Sequence, residues 1–246
     1  MTVIIDNKPC SFECGEMLID IAHRNGISIP TLCHHGGLSG QGCCRLCIVE
    51  IEEKGRRRIV TACIFPVEGE CTVFTNSENV LRQRKMILSL LQALAPESDE
   101  IKVLCDEGGI KPVERFVKQS DKSCILCGLC VNACDSLGTG ALSTAMRGTQ
   151  KLATTPYDEP SEVCVGCASC AEVCPTSAIA LEADESIRKI WGKTFPITHC
   201  KTCGISMGTF LELRRAAKLI DAKVPSICES CKKKSIADVM AATYGS

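Results

Sequence analysis

Large aromatic side chains are scarce in this sequence, which has six Phe, two Tyr and one Trp among 246 residues. Few side chains of that size are available to fill a core, so bound cofactors are expected to supply part of the interior. Neither sign of charge predominates, because 28 Lys and Arg stand against 29 Asp and Glu and leave a net charge of −1. Such a balance gives no global field that attracts a polyanion, and nucleic acid is not expected as a partner.

Long hydrophobic runs and an export signal are also missing. The first residues, from Met1 to Asp6, have the β-branched pattern of a strand and lack the basic and apolar regions of a signal peptide. No apolar stretch reaches the length that a bilayer-spanning helix needs. We therefore expect a cytoplasmic protein without direct membrane insertion, in which cysteines stay reduced and hold metal.

Cysteine, by contrast, is abundant, with 21 residues whose grouping divides the chain. We predict an α+β protein with an N-terminal β-rich domain, a helical linker, a domain with two matching cysteine groups, and a small four-cysteine tail. The boundaries that follow from this grouping are 1–76, 77–121, 122–194 and 195–246.

Helix signals are found in three of these segments. Apolar residues predict a helix at about 17–25 and another at about 78–95, the second capped by Ser77 and ended by Pro96. The stretch from Pro96 to residue 121 is acidic and weakly periodic, as in a connection. A further helix is predicted at about 209–222.

Two matching runs give the most specific signal. A four-iron cubane takes three thiolates from one tight loop and a fourth from a distance, and in two-cluster ferredoxins the fourth cysteine of each run serves the other cluster. A structural zinc ion is bound by separated Cys-x2-Cys pairs and does not require a third evenly spaced cysteine. The runs are Cys124-x2-Cys127-x2-Cys130-x3-Cys134 and, after 29 residues, Cys164-x2-Cys167-x2-Cys170-x3-Cys174-Pro175. We predict one 4Fe-4S cluster on Cys124, Cys127, Cys130 and Cys174 and a second on Cys164, Cys167, Cys170 and Cys134.

This segment resembles a bacterial two-cluster ferredoxin, with two departures. Asp135 stands where a Pro would follow the first run, and the 29-residue separation of the two runs is longer than in minimal ferredoxins. Both departures look like the ferredoxin-like segment of the complex I large iron–sulfur subunit and of related NAD-linked hydrogenase subunits.

A second cofactor is predicted nearer the N-terminus, where the pattern is Cys33-x10-Cys44-x2-Cys47-x15-Cys63. This pattern has two thiolates close together, an earlier one on a loop and a later one that the chain reaches through a hairpin. Four thiolates in this arrangement suit a 2Fe-2S cluster with two ligands on each iron. Zinc is the alternative. The pattern is similar to the two-iron domain of the same family, whose Cys-Arg-x-Cys is matched by Cys44-Arg45-Leu46-Cys47. That resemblance favours Cys44 over Cys43 as the ligand and implies a β-grasp fold.

One site of that family is expected to be lost. The family often carries a further four-iron cluster on His-x3-Cys-x2-Cys-x5-Cys, and the matching positions here are Ser98, Lys102, Cys105 and Lys111. One thiolate cannot hold a cubane. We therefore expect no cluster there, and an ordinary buried or half-buried thiol at Cys105, as at Cys10, Cys14, Cys43 and Cys71.

The tail contains two Cys-x2-Cys pairs, formed by Cys200, Cys203, Cys228 and Cys231, with 24 residues between the pairs. This spacing favours one structural Zn²⁺, and a third 4Fe-4S cluster is the alternative. Molybdopterin-type relatives have a four-iron site here, but Met207 occupies the position of their third cysteine. His199 adjoins a ligand and is expected to face solvent or support that ligand.

The resemblance covers about residues 1–182 and implies the small iron–sulfur subunit of a soluble NAD(P)-linked oxidoreductase complex. Its implied partners are a flavin- and NAD(P)-binding subunit, a thioredoxin-like 2Fe-2S subunit, and a hydrogenase, formate dehydrogenase or ferredoxin. We find no phosphate-binding Gly-rich motif and no nucleophile beside a base, so no catalytic residue is predicted. A free ferredoxin-like carrier, a zinc-stabilised interaction module and a truncated complex I subunit are the alternatives.

Overall fold

The computed structural model of the protein describes residues 1–116 and 122–244. Its N-terminal part is built on a five-stranded sheet with the strand order β2-β1-β7-β4-β5, in which β1 and β7 are parallel. Strands β3 and β6 form a separate two-stranded ladder. The elements are β1 (Thr2–Ile5), β2 (Lys8–Ser11), β3 (Glu16–Met17), α1 (Leu18–Arg24), β4 (Ile48–Glu53), β5 (Arg56–Thr61), β6 (Pro66–Val67) and β7 (Thr72–Phe74).

Residue alternation explains this sheet. In β1, Val3 and Ile5 face the core while their neighbours face solvent. Helix α1 buries Leu18, Ile19, Ile21 and Ala22 in the same core. The predicted N-terminal strand and the predicted helix are therefore present, whereas β7 was not predicted because three residues carry too little pattern.

Helix α2 (Glu78–Leu94) begins as predicted, with the Ser77 side chain accepting a hydrogen bond from the backbone N–H of Val80. An unexpected arginine lies on its inner face. Arg84 is buried and donates hydrogen bonds to the carbonyl oxygens of Leu46 and Ile48, on either side of Cys47. This arginine therefore fixes α2 against the loop that carries two of the predicted two-iron ligands.

The stretch after Pro96, which the sequence indicated to be a connection within the helical linker, contains a helix, α3 (Asp99–Glu107). Ser98 caps it, and Ile101 and Cys105, four residues apart, are buried on one face against α2. A separate helix was not predicted here because nine residues are too short to show a clear helical period of apolar residues. The cap at Ser98 followed by two acidic residues is the signal that indicates this helix.

The two cysteine runs lie in a second unit with small elements: α4 (Leu129–Ser136), β8 (Ser143–Ala145), β9 (Leu152–Thr154) and α5 (Ser169–Glu172). Helices α4 and α5 begin at equivalent places in the two runs and pack together. The duplication in the sequence thus reappears as a duplication of structure.

A four-stranded antiparallel sheet follows, with the order β10-β11-β12-β13. It crosses residue 194, where the sequence suggested a boundary, and so continues from the cysteine runs into the tail. The remaining elements are β10 (Leu181–Ala183), β11 (Ile187–Ile190), β12 (Lys193–His199), β13 (Ser206–Thr209), α6 (Phe210–Leu219) and α7 (Glu229–Tyr244). Helix α6 occupies most of the predicted 209–222 stretch, and α7 was not predicted. Among the described residues, no helix is long and apolar enough to cross a membrane.

Candidate metal centres

The four predicted two-iron ligands converge on one buried place. Cys33 comes from the loop after α1, Cys44 and Cys47 precede β4, and Cys63 lies in the short turn that follows β5. All four are at most 4% exposed. The backbone N–H of Cys44 donates to the Cys33 sulfur over 3.3 Å.

The sulfurs of these four cysteines lie close enough for their thiols to be hydrogen-bonded to one another. Hydrogen bonds from the thiols of Cys44 and Cys63 lower the pKa of Cys33, and the same bonds raise the pKa of both donors. A hydrogen bond with Cys63 also lowers the pKa of Cys47, to about 7. Such a group can release its protons to solvent when a metal binds, because the metal cation neutralises the thiolates.

Cys43, the neighbour that the sequence disfavours as a ligand, has a different contact. Its thiol donates a hydrogen bond over 3.2 Å to the backbone carbonyl of Cys127, in the first four-cysteine run. Cys43 is exposed whereas Cys44 is buried. Cys44 therefore lies within the two-iron group, whereas Cys43 lies between that group and a neighbouring loop, because its thiol is also hydrogen-bonded to Cys33.

The loop that leads to Cys43 is packed on the first run by further contacts. The Gln41 side chain donates to the Asn132 side chain over 3.1 Å, and Asn132 donates in turn to the Ser39 carbonyl over 3.3 Å. Gly128 has φ of +78°, and a Cβ there would lie 2.8 Å from Oε1 of Gln41. Glycine is favoured at this position because of its positive φ, and any other residue would also displace the Gln41 side chain.

The predicted four-iron ligands line two separate cavities. One is lined by Cys124, Cys127 and Cys130 of the first run together with Cys174 of the second. The other is lined by Cys164, Cys167 and Cys170 of the second run together with Cys134 of the first. Each cavity thus combines three cysteines of one run with the last cysteine of the other.

The two runs also have matching backbones. Leu126 and Gly166 lie between the first and second cysteines of their runs, and Gly128 and Ala168 lie between the second and third; all four have positive φ. The backbone N–H groups of Ala178 and Ala141 donate to the sulfurs of Cys174 and Cys134 over 3.3 and 3.2 Å. Burial raises the pKa of Cys127 to about 12 and that of Cys130 to about 11.

Trp191 is a site residue that sequence reasoning missed. It lines both four-cysteine cavities, and its indole N–H donates to the Cys170 sulfur over 3.4 Å. A lone tryptophan before a glycine, outside any cysteine motif, gives no signal of this role. Only the strand pairing of β11 with β12 brings it over the cavities.

The tail cysteines form a tighter group. Within residues 1–116 and 122–244, Cys200, Cys203, Cys228 and Cys231 are the one set of potential metal ligands whose atoms all lie within 4.8 Å of one another. The sulfurs of Cys203 and Cys228 are 3.7 Å apart. The Cys228 backbone N–H lowers the pKa of Cys200 to about 6, and thiol hydrogen bonds led by Cys203 raise that of Cys231 to about 12.

His199, the neighbour of this group, is exposed at the end of β12. Met207, at the position of the third cysteine in molybdopterin-type relatives, lies in β13. The tail group therefore consists of four thiols.

Residues at the degenerate cluster positions have other roles. The Ser98 side chain caps α3. The Lys102 ammonium lies 3.2 Å from the carboxylate of Asp99. Cys105 is fully buried, as expected, and its sulfur lies 3.8 Å from the Leu88 carbonyl oxygen.

The other spare cysteines divide into two kinds. Cys10 and Cys71 are buried, as expected, but the expectation was wrong for Cys14 and Cys43, which are exposed. Cys14 precedes Gly15 in the turn that leads to β3, where no apolar layer covers it. Burial of these cysteines therefore depends on where each one lies in the fold, and not on cysteine's apolar character alone.

Comparison with known families identifies two domains. Residues 1–78 match a 2Fe-2S iron-sulfur cluster binding domain, and residues 117–181 match a 4Fe-4S dicluster domain. The chain thus has mixed α/β structure, with one segment that matches a 2Fe-2S domain, a second that matches a 4Fe-4S dicluster domain, and a four-cysteine group.

Its relatives make the class more specific. The chain is 30% identical over 210 residues to NADP-reducing hydrogenase subunit HndD of Solidesulfovibrio fructosivorans, covering 73% of this chain and 36% of that protein. It is 26% identical over 206 residues to the mitochondrial NADH-ubiquinone oxidoreductase 78 kDa subunit of Candida albicans, covering 72% and 28%. Thus it spans about a third of the length of these relatives.

A solved structure of NAD⁺-reducing [NiFe]-hydrogenase in the H2-reduced state contains a similar chain. The TM-score is 0.61 and the identity is 26%, over 72% of this chain and 85% of that one. The resemblance predicted from the cysteine motifs is therefore confirmed: the homologues of this chain are subunits of NAD(P)-linked hydrogenases and oxidoreductases.

Because each cavity combines cysteines of both runs, we can predict which cluster is perturbed when the last cysteine of a run is replaced. Replacing Cys174 with Ser is expected to perturb the cluster of the first run, and replacing Cys134 with Ser the cluster of the second. Electron paramagnetic resonance of the reduced protein should therefore show different resonances altered in the two variants. Variants Cys124→Ser and Cys164→Ser identify the two signals. If Cys174→Ser alters the same signal as Cys164→Ser, the crossed assignment is wrong.

A second prediction concerns Cys105. Replacing it with Ser is expected to leave the iron content and the low-temperature paramagnetic spectra unchanged. The variant should nevertheless lose about 1–3 kcal/mol of stability, because a buried hydroxyl replaces a thiol without a close acceptor. Thermal unfolding measures this loss, and exposed Cys14→Ser is the matched control, with an expected change below about 0.5 kcal/mol. Disappearance of a cluster signal in Cys105→Ser would contradict the assignment of this residue.

Proposed function

We propose that this chain is an electron-transfer subunit of a multisubunit NAD(P)-linked oxidoreductase. It relays single electrons between a flavin- and NAD(P)H-binding subunit and a partner catalytic subunit or ferredoxin. The ligands are the twelve cysteines of the sequence analysis: Cys33, Cys44, Cys47 and Cys63 for the two-iron cluster, and the two crossed sets for the four-iron clusters. When bound, these clusters supply outer-sphere one-electron transfer.

The observation that carries this proposal is the contact between the two-iron loop and the first four-cysteine run. Cys43 adjoins the proposed ligand Cys44 in the chain, and its thiol donates to the carbonyl of the proposed ligand Cys127. Trp191 lines both the first four-cysteine cavity and the second. The three proposed cluster sites are therefore connected in the order two-iron, first four-iron, second four-iron.

For the domains we propose the same division that the sequence predicts. The N-terminal sheet, with its parallel pairing of β1 and β7 and one helix against it, supports a β-grasp domain over residues 1–76. Residues 77–121 are proposed as a linker with a degenerate cluster position, and residues 122–194 as the two-cluster domain. The tail from 195 to 246 shares a sheet with that domain.

For the tail we propose one Zn²⁺. Four thiolates around a single ion, with zinc–sulfur bonds of about 2.3 Å in a tetrahedron, stand about 3.8 Å apart. The 3.7 Å between the sulfurs of Cys203 and Cys228 fits that distance. In a cubane each thiolate binds a different iron, so its sulfurs would need to spread. The compact group therefore supports zinc over a third cubane.

Elemental analysis of the anaerobically purified chain tests these assignments together. One two-iron and two four-iron clusters correspond to about ten irons, with about one zinc in the tail. About fourteen irons without zinc would show that the tail holds a cubane. About six irons would show that one four-iron cluster is absent. A Cys203→Ser, Cys231→Ser double variant is expected to lose the zinc and keep all the iron.

Purification of the native assembly tests the function. We expect a flavoprotein that oxidises NADH or NADPH to copurify, and electrons from that nucleotide to bleach the cluster absorption of this chain. A chain recovered alone, with its clusters reducible only by added ferredoxin or dithionite, would instead indicate a free carrier. Cys43→Ala is expected to slow reduction of the four-iron clusters relative to Cys14→Ala, while iron content stays the same.

A further inference from the structure

Trp191 occupies a backbone position that is unfavourable for a tryptophan. Its φ is +53° and that of the following Gly192 is +70°, at the two-residue turn between β11 and β12. Asn-Gly is typical of such turns, because bulky side chains are disfavoured at positive φ. Residues held in this way are concentrated at functional sites. The unfavourable backbone of this turn therefore indicates a role for the Trp191 indole.

The indole reaches the second four-cysteine cavity. Its N–H donates to the sulfur of Cys170 over 3.4 Å, and its ring also lines the first cavity. In the first run the equivalent cysteine is Cys130, whose sulfur accepts from the backbone N–H of Val131. The side-chain donor from Trp191 is therefore directed specifically at the second site.

Two cations from the same pair of strands contact the loop of the second run. The Lys193 ammonium donates to the carbonyls of Ser161, Glu162 and Cys164 over 3.1 to 3.3 Å. The Arg188 guanidinium donates to the Gly166 carbonyl over 2.7 Å and lies 3.5 Å from the Glu212 carboxylate. Because Glu212 offsets much of the Arg188 charge, Lys193 is the stronger source of positive potential at this loop.

The hairpin is also packed tightly against this loop. Gly166 has φ of +70°, and a Cβ there would lie 2.5 Å from the ring of Phe195 on β12. Phe195 and Ile190 are buried in the same cluster as Cys170. The distance from Trp191 and Lys193 to the second run is therefore fixed by a well-packed core, as a group that acts by electrostatics requires.

Reduction adds one negative charge to a cluster and its sulfurs. Hydrogen bonds to those sulfurs and nearby cations stabilise the reduced state, and so raise the reduction potential. We propose that the β11–β12 hairpin sets the potential of the second four-iron cluster, Trp191 through its hydrogen bond to Cys170 and Lys193 through its charge. Both act as positioning and tuning residues of that cluster. This inference rests on the proposed function, since it requires both four-iron clusters.

The test is a potentiometric titration of the full chain, followed by electron paramagnetic resonance, with Trp191→Phe. Phenylalanine keeps a ring over the cavities but removes the N–H donor. We expect the second cluster to become harder to reduce by about tenfold in its equilibrium constant, which is about 59 mV for one electron. The potential of the first cluster should stay within error of the parent, with Cys124→Ser and Cys164→Ser identifying the signals.

Lys193 allows a matched charge control. Lys189 lies on the neighbouring strand β11 and faces outward, where its ammonium is 3.2 Å from the Glu182 carboxylate. Lys193→Met is expected to lower the potential of the second cluster, Lys189→Met to leave it unchanged, and Lys193→Arg to restore it. A merely structural role of Lys193 would not follow charge in this way.

Each outcome decides the proposal. A selective fall in the potential of the second cluster in Trp191→Phe or in Lys193→Met supports it. Unchanged potentials in both variants, or equal shifts of the two clusters, overturn it. If Trp191→Phe fails to hold its iron, the comparison of Lys193→Met with Lys189→Met decides alone. A parent protein with fewer than two four-iron signals would instead contradict the proposed function.

Discussion

Cysteine sulfurs that bind one cluster must meet at fixed positions, although they come from distant parts of the chain. In this protein that requirement is satisfied by loops packed on loops. The two-iron loop lies against the first four-cysteine run through Cys43, Gln41 and Asn132. The scarcity of aromatic residues is consistent with such an interior, because clusters and their thiolates take the space that large side chains would fill.

Apolar packing connects these loops to the rest of the chain. One buried cluster joins Cys33 and Cys44 to Leu88 of α2, Ile101 of α3 and Ile125 of the first run. Arg84 adds hydrogen bonds to the carbonyls on either side of Cys47. The helical linker therefore serves as a support that holds the two-iron site against the first four-iron site. This explains why α3 persists at a position where three of the four family cluster ligands are missing.

The C-terminal sheet has a comparable role on the other side of the molecule. Its strands bring Arg188, Lys193 and the Thr209 hydroxyl to carbonyl oxygens of the second run. The same sheet leads directly into Cys200 and the tail group. The tail group and the turn that carries Trp191 are therefore joined through one strand, β12.

The sequence by itself indicated the chemistry of this protein. Cysteine spacing predicted three cluster sites and one four-thiol group, because a metal cluster restricts the separation of its ligands along the chain as well as their geometry. The Ser77 cap and the strand alternation of β1 were local signals, and they predicted α2 and the first strand. Other features were not predicted: β7 is too short to carry a pattern, and the buried Arg84 depends on partners far away in sequence. The tertiary structure alone decided that Cys43 contacts the Cys127 carbonyl and that Trp191 lies over both four-cysteine cavities, because strand pairing and loop packing bring together residues that share no motif.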